Sequence, residues 1–235
     1  MPFFDNFFDL PPSALGAWLQ QEKARQMFER VLRQVPHPRR LLEIGPGRGE
    51  FADFCLRAGI DYVALEANLR QANGLHERGA KMIVGFAPPL PLATGDFDAV
   101  VAWNVLEHMP DFVAAQAFLR EMVRVTRPGG IVGVNTPDLL GAGRLFWDTD
   151  YTHSFPTSMR RLRQMFNDEE LDIVDATYYS GVVSGALAHP LSWGARAFPE
   201  ALVGTLVQPI MPRERIYRTR ITFLRNVFML GRKAS

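Results

Sequence analysis

The chain has 235 residues, a formal net charge of +1 and a hydrophobic fraction of 47%. This length suits one substantial core, and the balanced charge excludes the strong basic excess typical of nucleic-acid-binding proteins. A lone cysteine, Cys55, excludes an internal disulfide and favours a reducing compartment. The acidic start does not resemble a signal peptide, and glycines and a proline interrupt the uncharged run 176–195. We therefore expect a cytoplasmic single domain, 1–235, without a transmembrane helix.

The first half of the chain predicts a long helix and then alternating strands and helices. The long helix covers 13–35, with Ser13 as its N-cap and the prolines of 36–38 at its end. Buried strands are predicted at 40–45, 61–66, 80–85, 97–105 and 130–137, and helices at 49–59, 68–79 and 111–126. This alternation indicates an α/β fold with a mostly parallel sheet, which binds ligands beyond the carboxyl ends of its strands.

The pattern changes after Pro137. We predict a loop at 138–156, a helix at 157–168, a strand at 170–180, an apolar insertion at 180–217 and a last strand within 219–233. The fold is then a doubly wound, mostly parallel, seven-stranded Rossmann-like sheet whose final strand is antiparallel. Residues 1–38 form an N-terminal arm and helix, 39–179 and 218–233 form the core, and 180–217 form a lid-like insertion.

The turn after the first strand carries glycines at positions 45, 47 and 49. Glycines permit positive φ and let backbone N–H groups approach a ligand. The spacing lacks the third glycine of the dinucleotide fingerprint, and Glu50 stands in its place. A carboxylate at a helix N-terminus repels a pyrophosphate, so the loop favours a phosphate-free ligand, and Glu43 adds a second acid suited to a cation. A tight turn without a ligand is the alternative.

Glu66 ends the second predicted strand. It lies about where an acid accepts hydrogen bonds from ribose hydroxyls, which suits an adenosine ligand. The alternative is an ordinary acid at a strand end.

Taken together, these segments resemble the class I S-adenosylmethionine-dependent methyltransferases of the small-molecule and glycan-modifying branch. The matching motifs are LLEIGPGRGEF, YVALEAN, FDAVVAWNVLEHMPD and LREMVRVTRPGGIVGVNTPD, which cover 39–138 firmly, and 150–180 match loosely. The resemblance implies S-adenosylmethionine as the cofactor. It implies that Gly45, Gly47 and Gly49 hold the methionine part and that Glu66 holds the ribose, with Ala67 and Asn104 lining the same cleft.

One position departs from the family pattern. In many relatives an acid after the third strand accepts the adenine amino group, whereas this chain has Phe86 there. We expect Phe86 to stack on adenine, with the Ala87 N–H at a ring nitrogen. Packing of Phe86 in the core is the alternative.

Two histidines are the candidates for catalysis. Methyl transfer to oxygen usually needs a general base, and histidine suits that role near neutral pH. His153 lies in DTDYTHSFP, where the resemblance implies a base or an acceptor-positioning group; a hydrogen bond that pins the loop is the alternative. His108 lies in the LEH segment and either takes part in catalysis or supports the loop near the cofactor. The sequence predicts no metal site.

The predicted function is methylation of a small-molecule, sugar or lipid-linked acceptor, most simply at oxygen. An NAD-dependent oxidoreductase and a non-catalytic protein that binds S-adenosylmethionine are the alternatives, and the oligomeric state is not indicated. The insertion is either a lid over the acceptor or, with the arginines that follow it, a peripheral membrane contact through 180–220 at the inner face of the membrane. The phenylalanines of 3–8 could extend either feature.

Overall fold

The first helix is where the sequence predicts it. The structure is a computed structural model and describes residues 12–199 and 213–235. Helix α1 spans Ala14–Gln34, and the Ser13 hydroxyl accepts a hydrogen bond from the Gly16 N–H at 3.1 Å. It ends at Val35, just before the prolines that cannot continue a helix.

In the described residues, the sheet has eight strands. They are β1 (Arg40–Ile44), β2 (Asp61–Glu66), β3 (Lys81–Val84), β4 (Phe97–Trp103), β5 (Thr126–Pro137), β6 (Leu171–Ser180), β7 (Val183–Ser184) and β8 (Asn226–Lys233). Their spatial order is β3-β2-β1-β4-β5-β8-β6-β7, and β8 runs antiparallel between β5 and β6. The predicted α/β fold with a final antiparallel strand is confirmed. The strand in excess of the predicted seven is the two-residue β7. It pairs antiparallel with the end of β6 after a turn at Gly181, whose φ is 58°.

Eight further α-helices accompany the sheet in the described ranges. They are α2 (Glu50–Arg57), α3 (Leu69–Glu77), α4 (Phe112–Val125), α5 (Leu139–Ala142), α6 (Leu145–Asp148), α7 (Met159–Asp168), α8 (Ala188–Ala197) and α9 (Arg213–Thr222).

The second half of the chain departs from the prediction at one place and agrees with it at another. The loop predicted at 138–156 contains α5 and α6, because Asp138 caps a helical turn with its side chain. The last strand predicted within 219–233 is confirmed as β8, which begins at Asn226 because α9, rich in arginine with its good helix propensity, continues to Thr222. Residues 1–11 and 200–212 lie outside the described part of the chain, including the N-terminal phenylalanines and much of the insertion.

Two apolar clusters cover the two faces of the sheet. Successive strand residues point to opposite faces. Val100 therefore belongs to the cluster under α4 and α7, whereas Val101 belongs to the cluster under α1, α2 and α3. Strand β4 is buried along almost its whole length, as expected for a parallel strand covered on both faces.

The chain reverses direction across the sheet between β1 and β4. From β1 it proceeds outward to β2 and β3, and it then returns to pair β4 with the other side of β1. Ligands of such sheets bind in the crevice beyond the carboxyl ends at this switch point. The loops 45–49 and 104–111 border that crevice. Within residues 12–199 and 213–235, no helix combines the length and the apolar character needed to cross a membrane.

Candidate functional site

The loop after β1 depends on its glycines for two different reasons. Gly45, Gly47 and Gly49 all have positive φ, at 67°, 55° and 83°. A Cβ on Gly45 would lie 2.6 Å from Val105 Cγ2, so this glycine lets the loop approach the segment after β4. A Cβ on Gly49 would lie 2.4 Å from Leu75 Cδ2 on α3. The packing of α2 against α3 therefore accounts for Gly49 without a ligand.

Glu66 joins the end of β2 to the glycine loop. One of its carboxylate oxygens accepts the Asn68 N–H at 2.8 Å, and the other accepts the Gly47 N–H at 3.4 Å. Burial raises the pKa of this carboxyl group, and the backbone donors oppose that shift. Ala67, the next residue, is exposed at the same edge of the sheet. The structure thus brings Glu66, Ala67 and the loop to one place.

Glu43 lies beneath the loop and does not face the crevice. Its side chain is among the buried polar groups, with a residue exposure of 2%, and its carboxylate accepts the Tyr62 hydroxyl proton at 2.5 Å. Burial, together with the negative charges of Glu50 and Glu66, raises its pKa to about 8, while the Tyr62 hydrogen bond opposes this shift. The prediction that Glu43 contacts a ligand directly is wrong, because β1 directs this side chain into the core. Glu50 and Glu66 nevertheless lie beside the loop, and their negative charges favour a cationic ligand over a phosphate.

Phe86 follows β3 and projects from the surface. Its exposed fraction is 67%, so the alternative of core packing is wrong. Its neighbour Ala87 is partly buried against the apolar cluster under α4. The Gly85 N–H donates to the Glu66 carbonyl oxygen at 3.1 Å, which ties the start of this loop to the end of β2.

Asn104 directly follows β4 and has a left-handed backbone, at φ of 56°. Non-glycine residues seldom adopt this conformation, asparagine more readily than most, and such residues cluster at functional sites. The Asn135 side-chain amide donates to Asn104 Oδ1 at 2.7 Å, and the Asn104 N–H donates to the Asn135 carbonyl at 2.7 Å. The exposed Asn104 side chain is thereby held at the mouth of the crevice.

His108 and His153 meet beside the crevice. Their ring centroids are 5.0 Å apart, although one follows β4 and the other lies in the loop after α6. His153 Nδ1 donates to the Phe146 carbonyl oxygen at 2.6 Å, because a carbonyl oxygen only accepts. Its neutral form therefore carries the lone pair on Nε2. The alternative role of His153, a structural hydrogen bond that pins the loop, requires this same bond.

His108 is oriented by a short chain of polar groups. Thr152 donates its hydroxyl proton to Asp150 at 2.6 Å, so its oxygen accepts from His108 Nδ1 at 2.8 Å. The His108 lone pair then also lies on Nε2. Burial and the neighbouring His153 lower the pKa of His108 to about 4, which keeps this imidazole neutral at physiological pH.

Glu107 is a site residue that the sequence does not single out. It is buried, and the Thr136 hydroxyl donates to its carboxylate at 3.1 Å. Burial raises its pKa to about 8. One carboxylate oxygen of Glu107 and one ring nitrogen each of His108 and His153 lie within 4.8 Å of one another. The sequence predicts no metal site, whereas the fold assembles three residues of ligand type from separate segments.

Lys23 reaches the same region from α1. Its ammonium lies 5.9 Å from the Tyr179 ring centroid, at the end of β6. Burial lowers the pKa of this amine to about 8, while the charge of Glu107 raises it. No sequence signal marks this lysine, because only the packing of α1 brings it to the carboxyl edge of the sheet.

A cavity lies beyond the end of β5. Its volume is about 410 Å³, and Leu140, His189, Trp193 and Arg225 are among its lining residues. Arg225 Nε donates to the buried Asp138 at 2.7 Å, which fixes the polar wall of the cavity. The cavity is separate from the glycine loop.

The chain is similar to proteins of one family. A family model described as "Methyltransferase domain" matches residues 18–176. A relative from Mycobacterium sp. (strain JLS), described as an uncharacterized methyltransferase, is 33% identical over 117 residues, which are 49% of this chain and 45% of that protein. The chain thus matches about half the length of such curated relatives.

Two solved structures resemble the fold. The 1,6-didemethyltoxoflavin-N1-methyltransferase of Burkholderia thailandensis, solved with 1,6-didemethyltoxoflavin and S-adenosylhomocysteine, has a TM-score of 0.61 and 14% identity, and covers 93% of this chain and 81% of its own. The (4+2)-cyclase SpnF has a TM-score of 0.62 and 21% identity, and covers 89% of this chain and 80% of its own. At these identities the likeness shows the fold alone.

Proposed function

Because the chain belongs to the methyltransferase-domain family, we propose that it is a class I S-adenosylmethionine-dependent methyltransferase that acts on an oxygen of a small-molecule, sugar or lipid-linked acceptor. The observation that supports this most is the glycine loop with the acids Glu50 and Glu66 beside it, at the switch point of the sheet. Negative potential suits a sulfonium and disfavours a pyrophosphate. S-adenosylmethionine would supply an electrophilic methyl group at this place.

We propose that the cofactor lies along the carboxyl ends of β1 and β2. The backbone of Gly45 and Gly47 would border the methionine part, and Glu66 would accept hydrogen bonds from the ribose hydroxyls. The Glu66 oxygens now bound to backbone N–H groups retain further lone pairs for this role. The buried Glu43 would lie beneath the loop as a protonated acid, and the packed Gly49 would set the shape of the loop.

The two ends of the cofactor would meet residues from separate loops. Phe86 is exposed and available to stack on adenine, with Ala87 and Ala67 beside it. Asn104 would line the cleft near the methionine part. Lys23 is a partly buried cation at the same edge of the sheet, and it would pair with the methionine carboxylate.

The acceptor side would be formed by the two histidines and the cavity beyond β5. His153 and His108 share a neutral tautomer with a lone pair on Nε2, which suits an acceptor hydroxyl. We propose that they position this hydroxyl, His153 directly and His108 beside it. An in-line displacement chiefly needs alignment of the acceptor oxygen with the methyl group, which these residues would provide.

A peripheral membrane contact would suit a lipid-linked acceptor. Trp193 on α8 has an exposed fraction of 73% and Leu187 just before it 71%. Arg196 at the end of the helix places a cation next to this apolar surface, a combination that favours anionic lipid head groups. The opposing proposal is a lid that closes over the acceptor.

Calorimetry with three ligands tests the cofactor. We expect S-adenosylmethionine and S-adenosylhomocysteine to bind and NAD not to bind, since the acids around the loop oppose phosphates. Binding of NAD alone would instead support an oxidoreductase.

Transfer of a labelled methyl group tests catalysis. The purified chain is incubated with methyl-labelled S-adenosylmethionine and an extract, and the labelled product is identified. Cofactor binding without any labelled product would support a non-catalytic binding protein, since a fold does not by itself imply an activity.

A further inference from the structure

We propose that Glu107, His108 and His153 bind a divalent metal ion of the borderline class, with Zn²⁺ as its best representative. One ligand-type atom from each already lies within 4.8 Å of the other two. Two imidazoles and one carboxylate form a ligand set of catalytic zinc sites, which keep a fourth position open for water or substrate. The three residues provide this ligand set, and they lie beside the crevice.

The groups behind the three ligands strengthen this assignment. Metal-binding histidines almost always donate their other ring N–H to a carbonyl or an anionic group, which fixes the tautomer. His153 Nδ1 donates to the Phe146 carbonyl at 2.6 Å, and His108 Nδ1 donates to Thr152, itself held by Asp150. Both arrangements direct the lone pair to Nε2.

The carboxylate ligand is oriented in the same way. The Thr136 hydroxyl donates to one Glu107 oxygen at 3.1 Å. The Glu107 carbonyl accepts the N–H groups of Ser154 at 2.9 Å and Phe155 at 3.0 Å. These bonds fasten the loop of His153 to the segment that carries the other two ligands. The backbone is therefore set before any ion binds, and only side-chain rotations remain.

The distances require a small adjustment. With bond lengths of about 2.0–2.2 Å, ligand atoms of a tetrahedral zinc site are about 3.4 Å apart. The three atoms, within 4.8 Å of one another, would close by at most about 1.4 Å. Imidazole donors also distinguish the metal, because Mg²⁺ and Ca²⁺ prefer oxygen ligands whereas imidazole suits Zn²⁺ and Co²⁺.

The role of the ion in holding the acceptor rests on the proposed function, whereas the binding of the ion does not. An ion at this place would hold an oxygen of the acceptor at its open position, beside the crevice. The two histidines would then position the acceptor through the ion. S-adenosylmethionine would bind at the glycine loop independently.

The test is a metal titration of the full chain after chelator treatment. We expect one Zn²⁺ per chain by calorimetry, and a visible absorption spectrum of tetrahedral type with Co²⁺. His108→Ala and His153→Ala should each weaken Zn²⁺ binding by about 100-fold, and Thr152→Val should weaken it by about tenfold through the lost orientation of His108. His37→Ala, an exposed histidine in the linker after α1, is the matched control and should bind as the unmodified chain does.

Two results would overturn the metal site. One is the absence of stoichiometric Zn²⁺ and Co²⁺ binding by the unmodified chain, and the other is unchanged binding by both histidine variants. Circular dichroism and thermal unfolding show whether each variant is folded, and Thr152→Val, which keeps the side-chain shape, tests the site if an alanine variant unfolds. S-adenosylmethionine calorimetry on the same samples separates the two proposals, since its failure contradicts the proposed function while leaving the metal result intact.

Discussion

Asn135 donates its side-chain amide to Asn104 Oδ1 at 2.7 Å and so holds the left-handed end of β4 in place. Asn135 is buried, and Asn104 is exposed at the crevice. A buried residue of β5 thus determines how a crevice residue after β4 is presented.

Replacement of Asn104 should separate backbone strain from hydrogen bonding. Asn104→Ala loses the bond to Asn135 and places alanine in the left-handed region, each at about 1 kcal/mol. Asn104→Gly loses only the bond. We expect a stability loss of about 2 kcal/mol for alanine and about 1 kcal/mol for glycine, measured by urea unfolding. Equal losses would show that φ of 56° carries no strain.

Glu66→Gln should weaken S-adenosylmethionine binding by at least tenfold. Hydrogen bonds to a charged acceptor contribute about 1.5–3 kcal/mol, and the amide replaces one acceptor oxygen by a donor. Calorimetry gives the affinity directly. Glu77→Gln, an exposed acid at the end of α3, is the control. An unchanged affinity in Glu66→Gln would remove this residue from the proposed ribose contact.

Glu43→Gln should change how stability depends on pH. The folded-state pKa of about 8 lies above the ordinary value of 4.5, so between these values the folded chain holds a proton that the unfolded chain has released. The stabilisation is therefore complete below pH 4.5 and is lost as the pH rises towards 8. Each bound proton changes the free energy of unfolding by about 1.4 kcal/mol per pH unit.

Urea unfolding at a series of pH values measures this slope. The difference between the unmodified chain and Glu43→Gln should fall steadily across the window. Tyr62→Phe should extend the window upward, because the tyrosine hydroxyl favours the charged carboxylate. Parallel pH profiles for all three proteins would contradict the proton on Glu43.

Gly49→Ala should destabilise the fold more than Gly59→Ala does. Both glycines have positive φ, but a Cβ meets Leu75 at 2.4 Å at the first and nothing within 4 Å at the second. We expect a loss of about 2–4 kcal/mol at Gly49, from overpacking and backbone strain, and about 1 kcal/mol at Gly59. Thermal and urea unfolding measure both losses. Similar losses would mean that α3 moves aside without cost.

Trp193→Ser should reduce flotation with vesicles that contain anionic phospholipid. The exposed ring on α8 would otherwise enter the interface. Trp18→Ser is the matched control, because Trp18 has an exposed fraction of 57% on α1. Absence of flotation by the unmodified chain at low salt would favour the lid, and equal flotation of both variants would place the contact elsewhere.

Local patterns in the sequence determined the central part of this protein. The spacing of apolar residues and glycines predicts the alternating strands and helices from α1 to β5. Strands buried on both faces require apolar runs, and tight turns require glycine, so both are visible in the sequence. The glycine spacing also indicates the loop of Gly45, and the end of the second predicted strand indicates Glu66. The family motifs then point to a methyltransferase, and the match over residues 18–176 shows that family.

The tertiary structure alone decided which distant side chains meet. Lys23 on α1 comes close to Glu107 after β4, and His153 comes close to His108, because helix packing and sheet order unite segments that share no sequence pattern. The tertiary structure also decided that the Glu43 side chain points into the core. Successive residues of a strand face opposite sides of the sheet, and the hydrogen bond to Tyr62 on the neighbouring strand shows that the side of Glu43 is buried.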